Sequence, residues 1–199
     1  GTHKPEVSGS IPLPATKNMD KISSKKIYGV VICYNSENAI KNLYERIDMD
    51  LFDKIYFFDD NSTDNSYEIA RKFDWEVIKN ENNLGHGGNL KKAVKTAFED
   101  GADFVLEIHA DNQYDPNLIS KAKKFIDQDY ALIIGSRFVN KNPHKEEGMP
   151  FIRFISNKLM SFMTGKLLSI KLTEFHTGFK IFGKSLNENV PFENCSNNY

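Results

Sequence analysis

His109, Asp111 and Gln113 leave an apolar run at alternate positions, so an imidazole, a carboxylate and an amide oxygen can converge on one point. Such a set completes the shell of a divalent ion beside substrate phosphates. Mg2+ or Mn2+ suits the oxygens, and the lone imidazole tilts the choice toward Mn2+. No second His or Cys stands at ligand spacing, which argues against zinc. The competing reading is structural, with Asp111 and Asp115 capping a helix begun at Pro116. Asp59-Asp60 ends another apolar run. A carboxylate there can accept from a base N–H or a ribose hydroxyl, although Asp-Asp-Asn-Ser-Thr-Asp is equally the composition of a turn and an N-cap. The glycines of 83–89 (NLGHGGN) would let backbone approach a diphosphate at a helix N-terminus, or simply form a loop. Arg137 and Arg153 offer planar, bidentate phosphate clamps, which lysine does not match; each alone is as readily a surface ion pair. Residues 178–185 (GFKIFGKS) fit the phosphate-loop pattern letter for letter. The residues between those glycines are strand-like and Pro191 breaks any long helix after them, so no such loop is expected.

The elements that must position these groups follow from apolar period. Residues 27–34 (IYGVVICY), 55–58 (IYFF), 75–79 (WEVIK), 104–108 (FVLEI) and 131–134 (ALII) read as strands, with 179–182 (FKIF) a late one. Between the first five, apolar residues fall at helical spacing: Ile40, Leu43 and Ile47; Tyr67, Ala70 and Phe73; Leu90, Val94 and Ala97; Ile119, Ala122 and Ile126. Successive strand–helix units predict an α/β fold, a mostly parallel central sheet with helices on both faces. Ligands of such sheets bind beyond the carboxyl ends of the strands, where the polar clusters lie.

With 26 Lys+Arg against 27 Asp+Glu the chain has no global field to hold nucleic acid or an anionic membrane, so any anion site must be local. Its 199 residues suit one domain. Residues 1–24, with three prolines and no sustained period, read as a flexible tail or linker, and 25–199 as the folded domain. That domain stops soon after its late strand, as one truncated at its C-terminus would. Two cysteines, Cys33 and Cys195, are too few for a disulfide framework and accord with a reducing cytosol; no signal-peptide h-region or membrane-spanning run is present. Residues 151–168 are apolar around almost the whole helical circumference, with Arg153, Lys158 and Lys166 interspersed. Such a helix should pack on the core, pair with another copy in a homo-oligomer, or make peripheral contact with a membrane.

Taken in order, VVICYNSENAI, FFDDNSTDNS, NLGHGGNLKKAV, HADNQYDP, GSRF with PFIRFISNKLM, and LTEFHTGFKIF resemble the motifs of the family 2 glycosyltransferases of the GT-A fold. The likeness runs from about Lys25 to Gly183. More narrowly, the motifs resemble the branch with dolichol-phosphate mannose synthase and related polyprenyl-phosphate sugar transferases. It implies that Tyr34, Glu37, Asp59 and Asp60 line a donor nucleotide, with Asn83 and Gly85 close by. Asp111 and Gln113 would hold the ion on the diphosphate, and Arg137 and Arg153 would bind the phosphate of a lipid acceptor. Four positions depart from the family pattern: His109 for Asp, Asn61 for Gly, Cys33 for Pro, and Lys180 for Arg.

The resemblance implies inverting, metal-dependent transfer of a sugar from a nucleoside diphosphate sugar, UDP- or GDP-linked, at the cytoplasmic face of a membrane if the acceptor is a lipid. A polyprenyl phosphate is already an anion and needs no strong base. A saccharide hydroxyl does need one, and Glu174 is the candidate, then His176. A non-catalytic sugar-nucleotide-binding module is the alternative to an enzyme. A nucleotidyltransferase would need a Gly-rich, basic segment where Tyr34-Asn35-Ser36-Glu37 stands.

Overall fold

The computed structural model describes residues 6–9, 25–112, 114–139, 143–146, 149–175, 177–191 and 194–197. Seven strands form one sheet: β1 (Glu6–Gly9), β2 (Ile27–Cys33), β3 (Lys54–Asp59), β4 (Glu76–Lys79), β5 (Phe104–His109), β6 (Leu132–Ser136) and β7 (Lys180–Gly183), in the order β1-β6-β7-β5-β2-β3-β4. β2 pairs in parallel with β3 and β5, and β3 with β4. β7 lies antiparallel between β5 and β6, so β2 to β6 all run the same way and their carboxyl ends share one rim. Gln113 and His176 lie outside the described residues.

Period-2 alternation divides the core in two. Val31, Ile55, Phe57, Leu106 and Ile108 face α1 (Glu37–Arg46), α2 (Ser66–Ala70) and α4 (Ile119–Ile126), through Ile40, Leu43, Ala70, Ala122 and Ile126. Tyr28, Val30, Ile32, Tyr56, Phe58 and Val105 face α3 (Gly85–Glu99), through Ala93, Val94, Ala97 and Phe98. Phe57 and Phe58, neighbours in sequence, are thus fully buried on opposite faces, each worth about 1.5–3 kcal/mol of transfer free energy.

Glu6–Gly9, inside the stretch read as a tail, is an edge strand paired antiparallel with β6 from Glu6↔Ser136 to Gly9↔Ile133. Backbone pairing needs no apolar period, so composition gave no sign of it. The helix at 151–168 forms as α6 (Phe151–Leu168), following α5 (Pro143–Glu146), but does not pack on the core. Ile152, Phe162 and Leu167 are 79%, 68% and 83% exposed, because α1 to α4 already cover both sheet faces. The phosphate-loop lookalike becomes β7 and a six-residue helix, α7 (Lys184–Asn189).

Candidate functional site

The loops after β2 and β3 are laced together by short polar side chains. Backbone N–H groups of Asn35 and Ser36 donate to Ser62 Oγ (3.0 Å) and Ser66 Oγ (2.9 Å). Asp64 accepts from the N–H of Glu37 at 3.0 Å and from that of Ser66 at 2.9 Å, so one carboxylate serves the starts of both α1 and α2. The turn reading of 59–64 therefore holds at its distal end. Asn35 and Asn61 take left-handed backbone (φ 50° and 62°), which asparagine tolerates.

Above this lacework lies a cavity of about 330 Å³ lined by Tyr34, Asp60, Asn83, Gly85, His109 and Asp111, together with Cys33, His86 and Asn89. Asp60 is 3% exposed. Its Oδ1 accepts from Asn80 Nδ2 and from the Leu84 N–H, both at 2.8 Å. Asn80 in turn donates to Asn89 Oδ1 (2.9 Å), and Asn89 Nδ2 bonds the Phe58 carbonyl (3.1 Å). Asp60 is held from behind by a buried amide chain, an arrangement that no sequence period announces.

Several expected lining residues sit elsewhere. Asp59 is fully buried, with Oδ2 accepting from the Ser62 N–H at 3.0 Å; as the last residue of β3 it shares the Phe57 face rather than the rim. Glu37 Oε2 accepts from the N–H and Nδ2 of Asn65, both at 2.9 Å, which makes it part of the lacework. The N–H groups of Gly87 and Gly88, expected to face a diphosphate, donate to the Asn197 carbonyl at 3.0 and 3.3 Å. Residue 87 must be Gly for this: a Cβ there would lie 2.7 Å from the Ser196 carbonyl oxygen. Asp115, not Asp111, caps the turn at Pro116, accepting from the Asn117 N–H at 3.1 Å.

Behind the cavity lies a charge cluster that the motif reading missed. Glu107 is 2% exposed on the α3 face of β5. Its Oε1 is 3.1 Å from His86 Nε2 and 3.3 Å from His109 Nε2, and its Oε2 is 3.3 Å from Lys180 Nζ. Burial alone would push this carboxyl's pKa up. The imidazoles of His109 and His86 and the charge of Lys180 outweigh that and hold it well below the usual carboxylate range. The signal was present in the sequence: a glutamate inside FVLEIH, two residues from His109 and so on the same face.

At the end of β6, Arg137 and Glu174 form a buried pair, their side chains 12% and 1% exposed. The guanidinium donates to Oε1 through Nε at 3.1 Å and also through Nη2, while the Arg137 backbone N–H donates to Oε2 at 2.8 Å. Both oxygens of Glu174, the residue expected as general base for a hydroxyl acceptor, are thus bonded to Arg137. Phe138 packs on Phe154 with ring centroids 5.8 Å apart, which draws Arg137 and Arg153, their sequence neighbours, to one end of α6.

Known folds agree with this rim and its sheet. Glucosyl-3-phosphoglycerate synthase from Mycobacterium tuberculosis, solved with Mn2+, uridine diphosphate and glucosyl-3-phosphoglycerate, superimposes with a TM-score of 0.57 at 15% identity, covering 88% of this chain and 66% of that one. The fold is that of the GT-A glycosyltransferases. The family model for glycosyl transferase family 2 matches residues 29–190, and the chain belongs to that family as a glycosyltransferase domain. The UDP-N-acetylglucosamine–dolichyl-phosphate N-acetylglucosaminyltransferase of Methanococcus voltae is 31% identical over 182 residues, covering 82% of this chain and 72% of that protein. The dolichol-phosphate mannosyltransferase of Pyrococcus furiosus is 28% identical over 176 residues, and the chain spans 48% of its length.

Proposed function

We propose that this domain transfers a sugar from a nucleoside diphosphate sugar to a polyprenyl or dolichyl phosphate, with inversion at the anomeric carbon. The observation that carries the acceptor class is the Arg137–Glu174 pair. It holds a guanidinium at the carboxyl end of β6 and takes up the carboxylate that a hydroxyl acceptor would need as its base. A phosphate acceptor is already anionic, and its oxygen attacks the anomeric carbon as the bond to the diphosphate breaks. Arg137 and Arg153 position that phosphate. The names of the Methanococcus and Pyrococcus relatives support the same class.

On the donor side, Asp60, fixed through Oδ1, presents its other oxygen to a base N–H or a ribose hydroxyl, and Tyr34, Asn83 and Gly85 shape the walls. A divalent ion suits the rim: Asp111 lines the cavity beside His109, whose buried Nε2 faces the Glu107 carboxylate at 3.3 Å without hydrogen-bond geometry. Asp111 would hold the ion, joined in the sequence reading by Gln113 and His109. When bound, Mg2+ or Mn2+ neutralises charge developing on the leaving diphosphate.

The apolar face of α6 supplies the meeting with the lipid. No helix among the described residues is long and apolar enough to cross a membrane. Residues 151–173 carry Arg153, Lys158, Lys166 and Lys171 and no acidic residue, and Phe151, Ile155, Leu159 and Phe162 are exposed. Such a surface fits the interface of an anionic leaflet. The test is a transfer assay with UDP- and GDP-sugars, dolichyl phosphate and Mn2+, followed by NMR of the anomeric configuration. A lipid-linked sugar of inverted configuration supports the reading; transfer only to a free saccharide overturns the acceptor.

A further inference from the structure

His86 is absent from the cation set that spacing suggests, yet the fold carries it to Glu107. Positions 105, 107 and 109 of β5 share the face that α3 covers, and His86 enters from the first turn of that helix. The Nε2 atoms of His86 and His109 stand 3.1 and 3.3 Å from the same carboxylate oxygen, and all three donors lie within 4.8 Å of one another. The two imidazole planes are inclined by only 18°. A tetrahedral ion about 2.0–2.1 Å from its ligands sets them about 3.3–3.4 Å apart, so two edges of a coordination polyhedron are nearly in place. Two imidazole nitrogens and a carboxylate oxygen suit Mn2+, Co2+ or Zn2+ and suit Mg2+ poorly. Space beside His109 depends on Gly178: a Cβ there would lie 2.9 Å from Nε2.

We propose that His86 Nε2, Glu107 Oε1 and His109 Nε2 form a transition-metal site on the cavity wall, its remaining coordination positions turned toward the donor diphosphate. The site deepens the donor reading above and rests on it only for that last ligand. It differs from an ion held at Asp111 in its nitrogen donors. Lys180 Nζ, 3.3 Å from Oε2, opposes a cation, and a diphosphate offsets both charges. Ion and nucleoside diphosphate should therefore bind cooperatively, each raising the other's affinity by one factor.

The test is a Co2+ titration of the metal-free chain, read by visible absorption, with Zn2+ and Mg2+ as competitors and with or without UDP. The site predicts one equivalent of Co2+ with the intense bands of low-coordinate, nitrogen-ligated cobalt, displaced by Zn2+ and not by Mg2+, and tightened by UDP. His86→Gln and His109→Gln should each weaken Co2+ by about tenfold or more, with folding checked by circular dichroism, while Asp111→Asn keeps the bands. Mn2+ broadening of the His86 and His109 ring protons in the unaltered chain tests the same claim without a variant. Absence of bands at millimolar Co2+, or bands that survive His86→Gln and vanish in Asp111→Asn, overturns the proposal. Bands that behave as predicted without any UDP effect uphold the metal site and remove the donor reading instead.

Discussion

Glu174 grips Arg137 at two places, its Oε1 on the guanidinium and its Oε2 on the backbone N–H of the same residue. One carboxylate thereby fixes both the rotamer and the main chain at the end of β6. Glu174→Ala strands a guanidinium whose side chain is 12% exposed and should cost about 3–5 kcal/mol in urea unfolding. Glu174→Gln, which keeps the shape and part of the hydrogen bonding, should cost less. It should raise KM for the lipid phosphate while leaving KM for the nucleotide sugar in place. Equal effects on both substrates would contradict a positioning role toward the acceptor.

Asp111 is exposed at the cavity rim. Asp111→Ala should lower kcat by about 100-fold or more, with the fold checked by circular dichroism. Near-normal turnover in the presence of metal would remove Asp111 from the ion site.

The exposed side chains of α6 make a separate prediction. Phe162 and Leu167, 68% and 83% exposed, touch too little protein for their replacement by Glu to shift stability beyond about 0.5 kcal/mol. The double variant should nevertheless lose sedimentation with vesicles containing anionic lipid, which the parent chain should show. If both chains sediment alike, α6 is not the contact surface.

The two cysteines should differ in reactivity. Burial pushes the Cys33 thiol up to about 11, while Cys195 is exposed. A raised folded value means that Cys33's contribution to stability is complete below the ordinary thiol pKa of about 8.5 and is lost as pH rises toward 11. Alkylation at pH 8 should label Cys195 quickly and Cys33 only on unfolding, as mass spectrometry of the digested peptides would show.

Much of this site was legible before any fold was in hand, for a physical reason. Strand ends and helix starts carry their own punctuation, so Tyr34, Asp60, Asn83, Gly85, His109 and Asp111 were found as a set, and the parallel rim brings them together. What escaped were relations between elements. Asp59 and Asp60 look equivalent in sequence, but a strand sends neighbouring side chains to opposite faces. Glu174 has the composition of a base and the surroundings of a counter-ion. His86 and Glu107 are 21 residues apart, a separation that ligand-spacing rules do not cover. The edge strand Glu6–Gly9 pairs through backbone groups, to which residue type is nearly silent.

We assign the cavity at the ends of β2, β3 and β5 to a nucleoside diphosphate with a divalent ion. Thermal unfolding with UDP, GDP and CDP, each with and without Mn2+, tests it most directly. At a hundred times its dissociation constant the right ligand adds about 2.7 kcal/mol of apparent stability, a rise of about 5–10 °C for a chain of this size. Such a rise is expected for UDP or GDP with Mn2+, reduced when the metal is chelated and abolished in Asp60→Ala. No shift with any nucleotide, or one that Asp60→Ala leaves intact, would contradict it.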